Sequence, residues 1–438
     1  MTPGAEPLEP AVLDEEPGDV AGQVRYRDLV GDVFGLRRSV PPGGVVVLRA
    51  PRARTVAAAV LALEGWAARV DLRGADLAPA EDPDAVILDD SVTATAPTTD
   101  APTTDAPTTD APATGDGGPR GLPTRWVLHT SGTTGEPKAV QHTLASLTRT
   151  TVLPAPMAGR SGAPRRWGLL YEPTRMAGLQ VLLQAVLGGD VLVDPLALDS
   201  LPARLRRLSA HAVDSLSATP TIWRQILQSG EQTSLPLQQV TLGGEIADQG
   251  LLDALAQAFP GARVTHVFAS TETGAAFSVH DGREGFPRSY LEEAPRGIRL
   301  EVRDGVLHVH APDVSGGGPD GFVSTGDLVE VTGDRVRFLG RASGMVNVAG
   351  AMVAPEQVEA ALRAHPDVVD AVVTPRRNPF SGWLLVAQVT AAPGVDRADL
   401  PKRLSQDLAA RLPATHVPAV VRVVDRMAVT SAGKAGRR

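Results

Sequence analysis

Thr130-Ser131-Gly132-Thr133-Thr134-Gly135-Glu136-Pro137-Lys138 is the stretch on which the reading of this chain turns. It gathers small, hydroxylated and flexible residues and closes on a single cation. Arg125-Trp126-Val127-Leu128-His129 ahead of it reads as a short strand, so the loop begins where a sheet ends. Gly132 and Gly135 permit backbone conformations in which main-chain N–H groups converge on an anion. Thr130, Ser131, Thr133 and Thr134 add hydroxyl groups, and Lys138 adds a point charge. This is phosphate-handling chemistry without the G-x-x-x-x-G-K-[ST] spacing of a Walker loop. A turn rich in glycine and threonine can also be an ordinary loop, so the motif needs support from elsewhere.

The lysines supply some. Arginine carries nearly all the positive charge, and Lys138, Lys402 and Lys434 are the lysines of the chain. Arginine serves wherever a generic surface cation will do, so a lysine in this background points to a site that wants a compact, rotatable ammonium.

Composition sets the bounds. A chain of 438 residues is too long for one ordinary core, so two or more domains are expected. The net charge of −8 argues against a non-specific nucleic-acid binder, whose affinity comes from neutralising phosphates. With no cysteine, disulfides, thiolate metal sites and cysteine nucleophiles are excluded. The first twenty residues are acidic and contain proline, with no basic-then-apolar leader pattern. The longest apolar stretch, 56–68, contains Glu64 and is too short to span a bilayer. A soluble cytoplasmic protein is expected, a monomer or homodimer with neither membrane nor nucleic acid as partner.

Along the chain, 44–48 and 85–88 read as strands around an alanine-rich helix at 55–69. The pentad Ala-Pro-Thr-Thr-Asp then occurs three times over 96–110. Nearly devoid of apolar side chains, the stretch 93–119 is expected to be a disordered loop insertion. From Trp126 to about Leu339, strands alternating with helices predict a parallel sheet covered on both faces. Beyond Gly340 the pattern changes: helices at 355–363 and 399–411 and strands at 368–373 and 383–389 predict a small α+β unit. The expected fold class is therefore α/β. A large domain (1–340) carries parallel-type sheets covered by helices, and a small mobile C-terminal α+β domain (341–438) follows.

Four further clusters sit where chemistry is placed in such folds. Gly243-Gly244-Glu245 follows the strand at 239–242, where bare glycine backbone lets a flat ring lie close. Phe268-Ala269-Ser270-Thr271-Glu272 ends the next strand with an aromatic face and then a carboxylate. Ser324-Thr325-Gly326-Asp327 sets an acid just after a tight turn. Thr430-Ser431-Ala432-Gly433-Lys434 puts the last lysine on a flexible turn. Each alone could be an ordinary sheet-end turn.

In this order the five motifs resemble the AMP-forming adenylating superfamily of acyl- and aryl-CoA synthetases, adenylation domains and luciferase-like enzymes. The resemblance is strong over 120–438 and weaker over 26–90. The chain is short for the family, similar in length to o-succinylbenzoate–CoA ligase. Such enzymes align a carboxylate with the α-phosphorus of ATP and neutralise the developing charge. The resemblance implies that residues 130–138 grip the β- and γ-phosphates, that Thr271 sits by the α-phosphate, and that Glu272 holds Mg²⁺. It sandwiches the adenine between Gly243, Gly244 and Phe268, with Phe268 where the family usually has tyrosine, and counts Glu245, Ala269 and Ser270 among the nucleotide-binding residues. It gives Asp327 and Arg341 to the ribose and Lys434 to the α-phosphate and attacking carboxylate. Arg175, Leu179, Ala218, Thr219 and Phe268 would line the acid pocket. A swing about the hinge at Ser343 would bring Val348, Ala349 and Gly350 to the thiol tunnel.

Two departures stand out. Ser343 occupies a hinge position where many members carry Asp or Lys. Arg175 stands where an aromatic or His is usual; it either forks onto an anionic group of the acid or pairs with a structural acid such as Glu172. The implied activity is ATP- and Mg²⁺-dependent formation of an acyl adenylate, then transfer to CoA or to the phosphopantetheine of an acyl or peptidyl carrier protein. Transfer to an amine, or use of an unusual acid such as nitrite, is an alternative. A non-catalytic nucleotide-binding relative is opposed by the retention of Lys138, Glu272, Asp327, Arg341 and Lys434.

Overall fold

The computed structural model describes residues 11–13, 23–50, 52–74, 76–77, 82–92, 123–130, 137–151, 163–271, 274–311, 320–378, 382–430 and 433–436. The expected disordered loop 93–119 lies outside them, as do Ser131, Gly132, Thr133, Thr134, Gly135 and Glu272. The chain divides into one unit up to Asp199 and a second from Ser200 onward.

In the first unit, β1 (Ala11–Leu13) and β2 (Gln23–Arg25) pair antiparallel and precede α1 (Tyr26–Ser39). Then come β3 (Val45–Arg49), α2 (Ala53–Leu63), β4 (Arg69–Leu72), β5 (Val86–Asp89), β6 (Arg125–His129) and β7 (Ala139–His142). They form a sheet in the order β5-β3-β4-β6-β7, parallel except for β7. The run Val45-Val46-Val47-Leu48 reads as continuously apolar because this strand is covered on both faces. The unit closes with α3 (Leu144–Thr148), β8 (Arg166–Leu169), α4 (Met176–Gly188) and β9 (Val191–Val193), with β8 parallel to β9 and β9 parallel to β1.

The helix expected over 55–69 stops at Leu63. Gly65 takes a positive φ of 68°, which ends the helical path, and Arg69 already opens β4. The buried Thr124 hydroxyl fixes this turn: it accepts from Gly65 N at 2.9 Å and lies 2.8 Å from the carbonyls of Leu63 and Ala67.

The second unit begins with the expected alternation: α5 (Leu201–Ala210), β10 (Ser215–Ala218), α6 (Pro220–Ser229), β11 (Gln239–Gly243), α7 (Gln249–Ala258) and β12 (Arg263–Ser270). β10, β11 and β12 are parallel neighbours, and β13 (Gly274–Val279) turns back antiparallel on β12. Here the structure corrects the expectation that alternation runs to Leu339. Instead β14 (Phe286–Pro287), β15 (Arg299–Arg303), β16 (Val306–His310), β17 (Val323–Thr332) and β18 (Arg335–Arg341) form an antiparallel sheet in the order β14-β18-β17-β16-β15. Leu300 and Val302, then Leu307 and Val309, alternate with polar residues around Asp304-Gly305. Both turn residues have positive φ, 50° and 74°, as a tight hairpin requires.

The α+β unit expected beyond Gly340 is present. β19 (Val346–Val348), β20 (Ala351–Val353), α8 (Pro355–Arg363), β21 (Val368–Asn378), β22 (Gly382–Ala391), α9 (Leu400–Arg411) and β23 (Val420–Val423) make a sheet in the order β20-β19-β22-β21, with β23 parallel beside β22. Its core joins Val358 and Leu362 of α8, Leu404 and Leu408 of α9, and Val373, Leu385, Ala387 and Val389 of the sheet.

Candidate active site

In the first unit, β6 leads into the loop 130–138 and β7 carries the chain back. Thr130 N donates to Lys138 O at 3.0 Å and Lys138 N donates to Thr130 Oγ1 at 3.2 Å, so the two ends of the loop close on each other. Lys138 is exposed. His129, just before the loop, is held by Asp71 of β4, with Nε2 2.7 Å from Oδ1. Burial pushes the Asp71 carboxyl up, but hydrogen bonds from His129 and Arg73 outweigh it and hold the group below its usual range.

Arg175, immediately before α4, is bound up in the same region. Its Nη1 donates to His129 O at 3.2 Å, Nε faces Glu172 Oε2 at 3.5 Å, and Nη2 pairs with Asp76. Its guanidinium therefore has the structural acids and the carbonyl as partners. Gly178 must be glycine here, since a Cβ would stand 2.1 Å from Glu172 O. Leu179, expected in the acid pocket, is fully buried in the core of this unit.

In the second unit, the ends of β10 and β11 meet the C-terminal lysine turn. Thr430 N donates to Lys434 O at 2.8 Å, and Lys434 N donates to Thr430 Oγ1 at 3.2 Å, which closes the turn. Gly244 has φ 82°, and a Cβ there would lie 3.5 Å from Lys434 Cε and 3.8 Å from Thr219 Cγ2. The bare backbone after β11 thus receives the stem of Lys434. Glu245 accepts from Thr221 N at 3.0 Å, Thr221 Oγ1 at 3.1 Å and Ala435 N at 2.9 Å. Thr219 caps α6 by accepting from Ile222 N at 3.2 Å and donates its own proton to Gly433 O. Ala218 beside it is fully buried.

Phe268 stacks on Phe277 at 5.2 Å and on Phe338 at 5.3 Å between ring centroids. The β-bulge between Phe268 and Ala269 redirects the strand end that carries Ser270 and Thr271. Asp327 and Arg341 are cross-strand partners on β17 and β18, with Nε 2.7 Å from Oδ1. Ser343 lies exposed in the single 3₁₀ turn Ala342–Gly344. Val348 pairs with Gly382, while Ala349 (φ 48°) and Gly350 (φ 92°) form the exposed β19–β20 turn.

Sequence reasoning missed a buried ionic cluster joining α6 and α7 to α8 and β21. Arg224 pairs with Asp248 and lies 3.7 Å from Asp370; Arg363 lies 3.1 Å from Asp248 and 3.7 Å from Asp370 and Glu359. Burial pushes Asp370 above its usual range despite the arginines. Burial acts the same way on Asp248, but there Arg224 and Arg363 prevail and lower it. Asp248 before an apolar helical run was readable as a helix cap; its arginine partners look in sequence like any others. Among the described residues no group of His, Asp and Glu could hold a metal ion, and no helix is long and apolar enough to cross a membrane.

In the second unit the lysine turn docks beside the bare glycine backbone that follows β11, and in the first unit the loop that β6 opens is closed between Thr130 and Lys138. Residues 53–316 match the AMP-binding enzyme family and residues 357–434 match its C-terminal domain. A probable 2-succinylbenzoate–CoA ligase of Mycobacterium tuberculosis is 30% identical over 331 residues, covering 71% of this chain and 82% of that protein. The D-alanine–D-alanyl carrier protein ligase of Staphylococcus aureus is 26% identical over 72% of this chain and 70% of its own length. The fold matches that of Klebsiella oxytoca NpsA in complex with 3-hydroxyanthranilyl-AMSN, with a TM-score of 0.69 at 18% identity over 98% of this chain and 95% of that one. It also matches o-succinylbenzoate CoA synthetase (MenE) from Bacillus subtilis, with a TM-score of 0.64 at 19% identity over 95% and 92%. The chain belongs to the AMP-binding enzyme family and is an AMP-forming ligase.

Proposed function

We propose that this enzyme activates a carboxylic acid as its adenylate and passes the acyl group to a thiol, with CoA as the acceptor. A carboxylate oxygen of the acid attacks the α-phosphorus of ATP and pyrophosphate leaves. A thiol then gives up its proton to solvent and attacks the adenylate carbonyl, the new thioester bond forms, and AMP leaves with the electron pair of the broken C–O bond. The observation that carries this reading is the docked Lys434, whose stem runs past the bare backbone of Gly244. An ammonium held at a fixed place can neutralise charge as it grows on the α-phosphate and the entering carboxylate, which is where preorganised charge lowers a barrier most.

The other roles follow. Residues 130–138 take the β- and γ-phosphates, Gly243 and Gly244 leave room for the adenine, and Asp327 accepts from the ribose hydroxyls with Arg341 beside it. The Thr271 hydroxyl serves the α-phosphate, and the Glu272 carboxylate is a hard oxygen donor of the kind Mg²⁺ takes. When bound, that ion neutralises phosphate charge. Residues 341–438 act as a separate small domain hinged at Ser343, and Val348, Ala349 and Gly350 serve the thiol step. The exposure of Ala349 and Gly350 while Lys434 is docked supports assigning this arrangement to the adenylation step.

CoA is favoured over a carrier protein because the CoA ligase relative is matched over more of its own length. Acid-dependent ATP–pyrophosphate exchange over aryl, aliphatic and amino acids, followed by thioester formation with CoA or a phosphopantetheinyl carrier, tests the proposal. Exchange with none of the acids would contradict it.

A further inference from the structure

We infer that Thr219 and Glu245 are positioning residues that hold the Lys434 turn for adenylate formation and have no part in thiol transfer. The inference rests on the proposed role of Lys434. Its observation is separate: the peptide groups on either side of that lysine are each gripped by a different side chain. Gly433 O, on one side, accepts from Thr219 Oγ1; Ala435 N, on the other, donates to Glu245 Oε1 at 2.9 Å.

Both clamps are themselves anchored on the first turn of α6. The Thr219 hydroxyl has one proton, given to Gly433 O, and a lone pair that accepts from Ile222 N at 3.2 Å. Glu245 divides its oxygens: Oε2 accepts from Thr221 N at 3.0 Å, and Oε1 accepts from Thr221 Oγ1 at 3.1 Å and from Ala435 N. A carboxylate fixed in this way cannot follow a wandering turn, so it sets where the turn stops. One turn further along α6, Gln225 Nε2 donates to Met427 O at 3.2 Å, tying down the approach to the lysine turn.

A flexible turn with a lysine at its tip would lose conformational freedom on each catalytic cycle. Two hydrogen bonds to its backbone take up that ordering before substrate arrives. They also discriminate between steps, because they exist only while the turn is docked. Neither contact involves the lysine side chain, so they fix the place of the charge without competing for it.

The test compares half-reactions in the full-length enzyme with Glu245→Gln, Glu245→Ala, Thr219→Val and Thr219→Ser, using Lys434→Ala as the reference. Glu245→Ala and Thr219→Val are expected to lower the kcat of ATP–pyrophosphate exchange tenfold or more. The loss should fall on kcat far more than on KM for ATP or for the acid, and it should be at least tenfold larger in exchange than in thioester formation from supplied acyl adenylate. Thr219→Ser, which keeps the hydroxyl, should retain near-native exchange, and Glu245→Gln, the isosteric change, should fall between. Exchange within twofold of native for both Glu245→Ala and Thr219→Val overturns the inference. So does equal loss in both half-reactions, which would mean a general defect in folding. If Lys434→Ala itself retains exchange, the role of Lys434 is what fails, and the clamp falls with it.

Discussion

Arg175 Nη1 donates to the carbonyl of His129 at 3.2 Å, so the residue that precedes α4 supports the residue from which the loop 130–138 departs. Glu172 and Asp76 hold the rest of the guanidinium. Asp71 holds the His129 ring from the other side. The loop thus leaves β6 from a residue fixed both at its backbone and at its side chain.

Arg175→Ala is expected to raise KM for ATP severalfold, with KM for the acid changed less than twofold. It should also destabilise the fold by about 2–3 kcal/mol, since Glu172 and Asp76 would lose their cation. Steady-state kinetics and urea unfolding measure both. A tenfold rise in KM for the acid with ATP unaffected would show instead that the guanidinium reads the acid.

Arg224→Ala should cost about 3 kcal/mol, because it leaves Asp248 and Asp370 short of a counter-charge in a buried cluster. Combined with Asp370→Ala, the loss should fall short of the sum by more than about 1 kcal/mol, as expected for groups in direct electrostatic contact. Unfolding of the single and double variants gives the coupling, and strict additivity would dissolve the cluster as a unit.

His266 of β12 gives stability a pH dependence. Burial, followed by the opposing pulls of Asp281 upward and Arg335 downward, lowers its pKa to about 4, and Nε2 has no hydrogen-bond partner among the described residues. Between the unfolded value near 6.5 and this folded value, the unfolded chain binds a proton that the native state does not. Stability should therefore be intact above pH 6.5 and fall by up to about 3 kcal/mol as pH drops toward 4. His266→Gln should flatten that part of the profile; an unchanged slope would assign it to other groups.

Deleting 96–110, a repeat almost without apolar side chains, should alter melting temperature and turnover little, since closure entropy changes only slowly with the length of a connection. Loss of soluble protein or a fall of many degrees would make the repeat structural.

Much of this architecture was legible where local pattern and long-range packing agree. The strand at 125–129, the proline-led α8 and the motifs at the ends of β11 and β12 all announce themselves through apolar runs and glycine. The antiparallel sheet after Ser270 is legible only in part: Asp304-Gly305 between alternating apolar residues is a hairpin signal, while the partners of the other strands are not marked locally. Its strands follow directly on a run of βα units, and nothing in local periodicity marks where a parallel sheet gives way to an antiparallel one. Contacts between distant residues were beyond reach. Asp76 is 99 residues from Arg175, and Ala435 is 190 residues from Glu245. Glu245, read beside the glycines as a nucleotide contact, has its carboxylate occupied by backbone and hydroxyl donors. No spacing rule encodes such pairs; packing creates them.

The most direct test is the effect of Lys434→Ala on the two half-reactions, measured on the same enzyme preparation. Acid-dependent ATP–pyrophosphate exchange should fall a hundredfold or more, on the order of 3–4 kcal/mol of lost transition-state stabilisation, with ATP still bound. Thioester formation from supplied acyl adenylate should proceed at the native rate. Exchange that survives, or transfer that falls in step with it, would contradict the account.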